Sequence, residues 1–179
     1  MHRQLIVSLL LSFVITIDGG TVNCSAFENI IYQVTTAFPD FKPYFMLLTL
    51  LSGGVFFEET NIQNGQSSAE LGVRLEFGTR TGYYECIDEN TIELTDFGYI
   101  FRISKLPALG GNDAFIIQTY HFYFQNTSYD KCTGYIQSAY FTPGQDPFDT
   151  QNIPIYTEAD RNLTCELLSG RHYRWPPNT

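Results

Sequence analysis

"TGYYECIDENTIELTDFGYIFR", residues 81–102, is the stretch on which the fold turns. Asp88-Glu89-Asn90 is a hairpin signal between two runs, 83–87 and 91–103, that are rich in β-branched and aromatic residues. Apolar residues alternate with polar ones through Ile92 and Leu94, then return out of step at Phe97, Tyr99 and Phe101. This slip predicts a β-bulge at Thr95-Asp96, because one inserted residue flips the alternation and bends the strand. Ile92, Leu94, Phe97, Tyr99 and Phe101 would then share the inner face, with Gly98 easing the curvature. A strand buried on both faces, with no bulge, is the alternative.

The same texture extends in both directions. The runs 45–51 and 55–60 flank Ser52-Gly53-Gly54, a tight-turn signal. The longest strand is expected at 114–125, "AFIIQTYHFYFQ", followed after Asn126-Thr127-Ser128 by another at 129–141 and a last one at 163–175. Residues 69–77, "AELGVRLEF", suit a strand or a short helix. Residues 61–68 read as a loop, and "TPGQDPFDTQNIP" at 142–154 as an irregular crossing. Ser25-Ala26-Phe27-Glu28 has capping-box spacing, with Phe27, Ile30, Ile31, Val34 and Phe38 at helical intervals before Pro39. These features predict an all-β chain, an antiparallel up-and-down barrel of seven or eight strands with one N-terminal helix at about 26–37. Closure removes the two bare edges that so long a meander would leave. A two-sheet sandwich is the alternative.

Residues 1–20 have the build of a signal peptide: a basic head at Met1-His2-Arg3, an apolar run from Leu5 to Ile17, and small residues after it. That run is too short to span a bilayer, and no membrane span is expected elsewhere. Residues 21–179 are expected to form one secreted, extracellular domain. Cys24, Cys86, Cys132 and Cys165, an even set in an oxidising compartment, then predict two disulfides. Strand direction favours Cys86 with Cys132 at one rim and Cys24 with Cys165. Sequons at Asn23, Asn126 and Asn162 make the chain a candidate glycoprotein. Net charge is −9, with lysine and arginine scattered. No nucleic-acid partner is expected.

Together these features resemble the lipocalin and wider calycin group, small secreted proteins in which an N-terminal segment leads into an up-and-down barrel. The likeness is architectural and covers residues 44–175. The group's Gly-x-Trp at the first strand is not present, and the single tryptophan is Trp175, beside Arg171 and Arg174. The resemblance implies a barrel that holds a small hydrophobic ligand.

Such a pocket would be aromatic with a few polar handles. The candidate lining is Tyr83, Tyr99, Phe101, Gln118, Tyr120 and Phe122; an interior simply filled by side chains is the other outcome. His121, with Asp96 or Glu93 on the neighbouring strand, is the one acid–base constellation. It supports an alternative function, a cofactor-independent isomerase or cyclase. A third is an extracellular interaction protein or homo-oligomer with a solid core. No catalytic residue, cofactor or metal site is assigned: two mature histidines are too few for a histidine-rich site, and Asp146 and Asp149 suit turns. Glu58-Glu59 and Asp88-Glu89 read as solvated acidic ends.

Overall fold

The computed structural model describes residues 23–37, 44–61, 64–68, 71–103 and 113–169. The expected signal peptide, Pro39 and the C-terminal Arg171–Trp175 lie outside them. Among the described residues ten strands form one antiparallel sheet: β1 (Ile30–Thr36), β2 (Tyr44–Leu50), β3 (Val55–Thr60), β4 (Asn64–Ser68), β5 (Gly72–Phe77), β6 (Arg80–Asp88), β7 (Thr91–Phe101), β8 (Ala114–Phe124), β9 (Lys131–Phe141) and β10 (Tyr156–Leu167). Eight of them close a barrel in the order β1-β2-β3-β6-β7-β8-β9-β10, with β10 hydrogen-bonded back to β1. The architecture is calycin-like, an up-and-down meander interrupted once by the β4–β5 hairpin.

Strand alternation fills the inside. Tyr32 and Val34 of β1, Met46, Leu48 and Leu50 of β2, Ile92 and Leu94 of β7, and Tyr120 and Phe122 of β8 are all fully buried. At one rim β2 turns into β3 through Gly53 and Gly54, whose φ angles of 83° and 75° side chains rarely adopt. Asn90 N–H donates to Asp88 Oδ1 at the same rim and tightens the β6–β7 hairpin.

The N-terminal helix expected at 26–37 is not formed. A 3-10 turn covers Cys24–Phe27, Asn29 takes a positive φ of 59°, and Ile30–Thr36 is a strand. Tyr32, Val34 and Thr36 share its inner face, and it alone joins β2 to β10. The β-branched run Ile30, Ile31, Val34, Thr35, Thr36 suits that role, and tertiary pairing overrides the helical spacing. Residues 64–68, read as loop, pair with β5 through two register shifts, a strand without apolar alternation to announce it.

The bulge at Thr95-Asp96 is also absent. β7 pairs with β8 without a shift from Thr91–Tyr123 to Ile100–Ala114. Leu94 therefore faces in and Phe97 out, and β7 turns Ile92, Leu94, Asp96, Gly98 and Ile100 inward. The apparent slip marks a carboxyl group and a glycine on the inner face, with aromatic rings on the outer one.

The disulfides are Cys24–Cys86 and Cys132–Cys165, not the pairing expected from strand direction. β10 begins at Tyr156 rather than near 163, so Cys165 lies towards its end, on the same rim as Cys132. The two are direct partners across β9 and β10, with Cα atoms 4.9 Å apart. Cys24, the first residue of the 3-10 turn, is left for Cys86.

Candidate functional site

The inside of the barrel is divided in three along its axis. The disulfide end is a continuous apolar cluster that includes Phe27, Tyr32, Leu48, Leu50, Ile92, Phe122 and Phe124. The opposite end is a smaller cluster in which Leu71 and Leu75 of the hairpin segment cover Ile100, Ala114, Ile116 and Tyr140. Between the two lies a polar layer: Tyr44, Glu58, Arg80, Asp96, Gln118, Tyr120 and Ser138, all buried.

Each member is placed by alternation. Glu58 follows Phe56 on the inner face of β3, Arg80 opposes it on β6, and Asp96 follows Leu94 on β7. Gln118 opposes Asp96 on β8, and Ser138 opposes Gln118 on β9. Gly98 makes room for Arg80. A Cβ there would lie 2.7 Å from Arg80 Cγ, so only glycine lets the arginine stem cross the strand.

Arg80 Nη1 donates to Glu58 Oε1 at 3.1 Å and stands 4.0 Å from Asp96 Oδ2. Burial alone lowers the guanidinium pKa, but the acidic groups packed around it outweigh that and keep it above its usual value. The Phe77 ring of the hairpin lies 5.6 Å from the guanidinium carbon. Tyr44 Oη donates to Glu58 Oε1 at 3.3 Å.

Tyr120 Oη is the hub. It is within hydrogen-bonding distance of Glu58 Oε2, Asp96 Oδ2 (3.0 Å), Gln118 Oε1 (3.2 Å) and Met46 Sδ (3.7 Å). One hydroxyl proton serves one acceptor at a time, so the carboxyl groups of Glu58 and Asp96 share a single Tyr120 proton between them. Burial first, and Glu58 second, push the Asp96 carboxyl well above the usual carboxylate range, and Arg80 only partly opposes them. Within the layer, Asp96 Oδ1 and Arg80 Nε are buried without a partner.

The predicted lining divides between the two faces. Gln118, Tyr120 and Phe122 point inward, the first two in the polar layer and Phe122 in the disulfide-end cluster. Tyr83, Tyr99 and Phe101 point outward, with Tyr83 48% and Tyr99 44% exposed. There Tyr99 meets Phe101 and Phe115, and Phe97 meets Tyr83, Phe115 and Phe148. His121 faces out as well: Nδ1 is 3.3 Å from Glu93 Oε2, and its ring stacks on Tyr135. The sheet therefore separates it from Asp96. A polar groove of about 390 Å³ crosses the outer face of β1, β10 and β9, lined by Gln33, Thr35, Thr133 and Thr164 among others, and shares no residue with the layer.

Glu58, expected to be solvated, is the pivot of the layer instead, and Arg80 and Tyr44 were not anticipated. Strict alternation from Phe56 to Glu58, and from Leu94 to Asp96, was the signal that could have found the two carboxyls. Asp146 and Asp149 behave as turn residues, accepting from the backbone N–H of Phe148 and Gln151. Among the described residues no group of histidine, cysteine and carboxylate side chains could hold a metal ion, and no helix is long and apolar enough to cross a membrane. No family model matches the chain, and neither a curated protein nor a solved structure is significantly similar to it.

Proposed function

We propose that this is a secreted, glycosylated, lipocalin-like carrier that takes a small hydrophobic molecule into the hairpin end of its barrel without chemically changing it. The observation that carries this reading is the unequal fastening of the two ends. Among the described residues, β5 meets β7 at Glu76–Phe101 and Phe77–Ile100, whereas β7 and β8 pair along their whole shared length. The hairpin segment buries Leu71 and Leu75 in the space a ligand would use, with the polar layer as its floor. Local opening of so weakly held an element costs far less than unfolding the barrel. Export is supported by two disulfides, which persist in oxidising compartments. Asn126, exposed at the β8–β9 turn, and Asn162, exposed on β10, leave room for glycans, whereas Asn23 accepts the Ser25 N–H and caps the 3-10 turn.

The test is uptake of an uncharged solvatochromic probe by the full chain, with hydrogen exchange read alongside. Blue-shifted emission together with faster exchange at 71–77 supports the carrier. No uptake, with the hairpin as protected as β8, ends it. A second reading, an extracellular interaction protein, is favoured by one observation. The outer rings of Tyr83, Phe97, Tyr99 and Phe115, with Phe148 66% exposed, form a broad aromatic face.

A further inference from the structure

The carrier reading leaves the head group of the ligand open, and the buried layer narrows it. Asp96 meets Tyr120 through Oδ2, and its other oxygen, Oδ1, is left without a partner, an acceptor in the carboxylate and in the acid protonated on Oδ2. Arg80 uses Nη1 on Glu58, and its Nε–H is left as a donor. A buried acceptor and a buried donor without partners each carry the desolvation cost of an unmade hydrogen bond. The group that answers both is one that gives one proton and accepts one.

Resting on that reading, we propose that the ligand is an apolar alcohol, whose O–H donates to Asp96 Oδ1 and whose oxygen accepts from Arg80 Nε. Its hydrocarbon body takes the place of Leu71, Leu75 and Phe77 against Ile100, Ala114, Ile116 and Tyr140. A carboxylate offers acceptors only and adds a second buried negative charge beside Glu58, whose guanidinium partner is already engaged. An ammonium offers donors only and leaves Arg80 Nε unanswered. A plain alkane leaves both atoms as they are.

Dodecan-1-ol, dodecanoate, dodecylammonium and dodecane, titrated against the full chain by dye displacement and native mass spectrometry, decide the matter. The alcohol is expected to bind at least about tenfold tighter than each of the others, the effect of leaving one buried polar partner unmade. Asp96→Leu should erase that preference, and Asp96→Asn should restore most of it, since an amide supplies both the donor to Tyr120 and the acceptor. If Asp96→Leu does not fold, the ranking and the Asp96→Asn variant still decide. A carboxylate or ammonium that binds as tightly as the alcohol overturns the head-group assignment and leaves the carrier standing. So does dodecane binding as well as the alcohol, the pattern expected if an ordered water serves both atoms. No uptake of any probe overturns the alcohol and the carrier together.

Discussion

At the disulfide rim, Phe27 packs on Phe124 and Tyr129 and two bridges pin the strands beneath it; at the far rim, the β4–β5 hairpin rests on a short pairing with β7. Both ends bury apolar side chains, so burial alone does not separate them. The difference lies in how many independent constraints must fail before each opens. The polar layer sits where these two regimes meet, and the predictions test whether it belongs to the fixed half or the movable one.

The largest effect is expected from Arg80→Ala, which leaves Glu58 without its buried guanidinium. Chemical denaturation should show a loss of about 3–5 kcal/mol, the cost of breaking a buried pair by removing one partner. A loss below about 1 kcal/mol would mean that water reaches the layer. Next, Cys24→Ala with Cys86→Ala should cost about 2–5 kcal/mol, because the bridge closes a long loop. Probe uptake at the other end should stay unchanged; a change would couple the ends and break the contrast.

Asp96 supplies a pH test. Its folded pKa is raised and its unfolded pKa is near 4, so over the interval between them the native state holds the extra proton. Its contribution is fully present below the unfolded value and declines as pH rises towards the folded one, by about 1.4 kcal/mol per pH unit. Asp96→Asn should flatten that slope in melts taken above pH 4. An unchanged slope would place the proton elsewhere. The smallest effect is reserved for the hairpin. Leu48→Ala, at the fixed end, should cost about 2–5 kcal/mol globally. Leu75→Ala should lower global stability by about 1 kcal/mol or less while speeding exchange at 71–77 alone, as expected for a locally opening unit.

The barrel and its strand count were legible because Gly53-Gly54 and Asp88–Asn90 punctuate long aromatic runs, and pattern plus turn chemistry suffice for a meander. The phase of β7 was not. A buried carboxyl at 96 looks, in one dimension, like an inserted residue, because polar residues are counted as solvent-facing. The helix at 26–37 failed for a related reason: Phe27, Ile30, Ile31 and Val34 fit both a helical stripe and a turn followed by a strand. Only the need to join β2 to β10 separates the two. The disulfides followed from misplacing the start of β10, since Thr157 to Asn162 carry little hydrophobic signal. Tyr99 and Phe101 went to the wrong face with the phase error of β7, whereas Tyr83 belongs to β6, where Tyr84 takes the inner face.

The seam between β1 and β10 has a consequence for biogenesis. The first barrel strand to leave the ribosome needs β10 as its neighbour, so closure waits for that strand and the topology is of high contact order. Cys24 and Cys86 both emerge before Cys132 and Cys165, so oxidation can proceed in the order of synthesis. The order of synthesis thus allows the staple that anchors the N-terminal segment to form while the barrel is still an open ribbon, before Cys132 and Cys165 are present to compete.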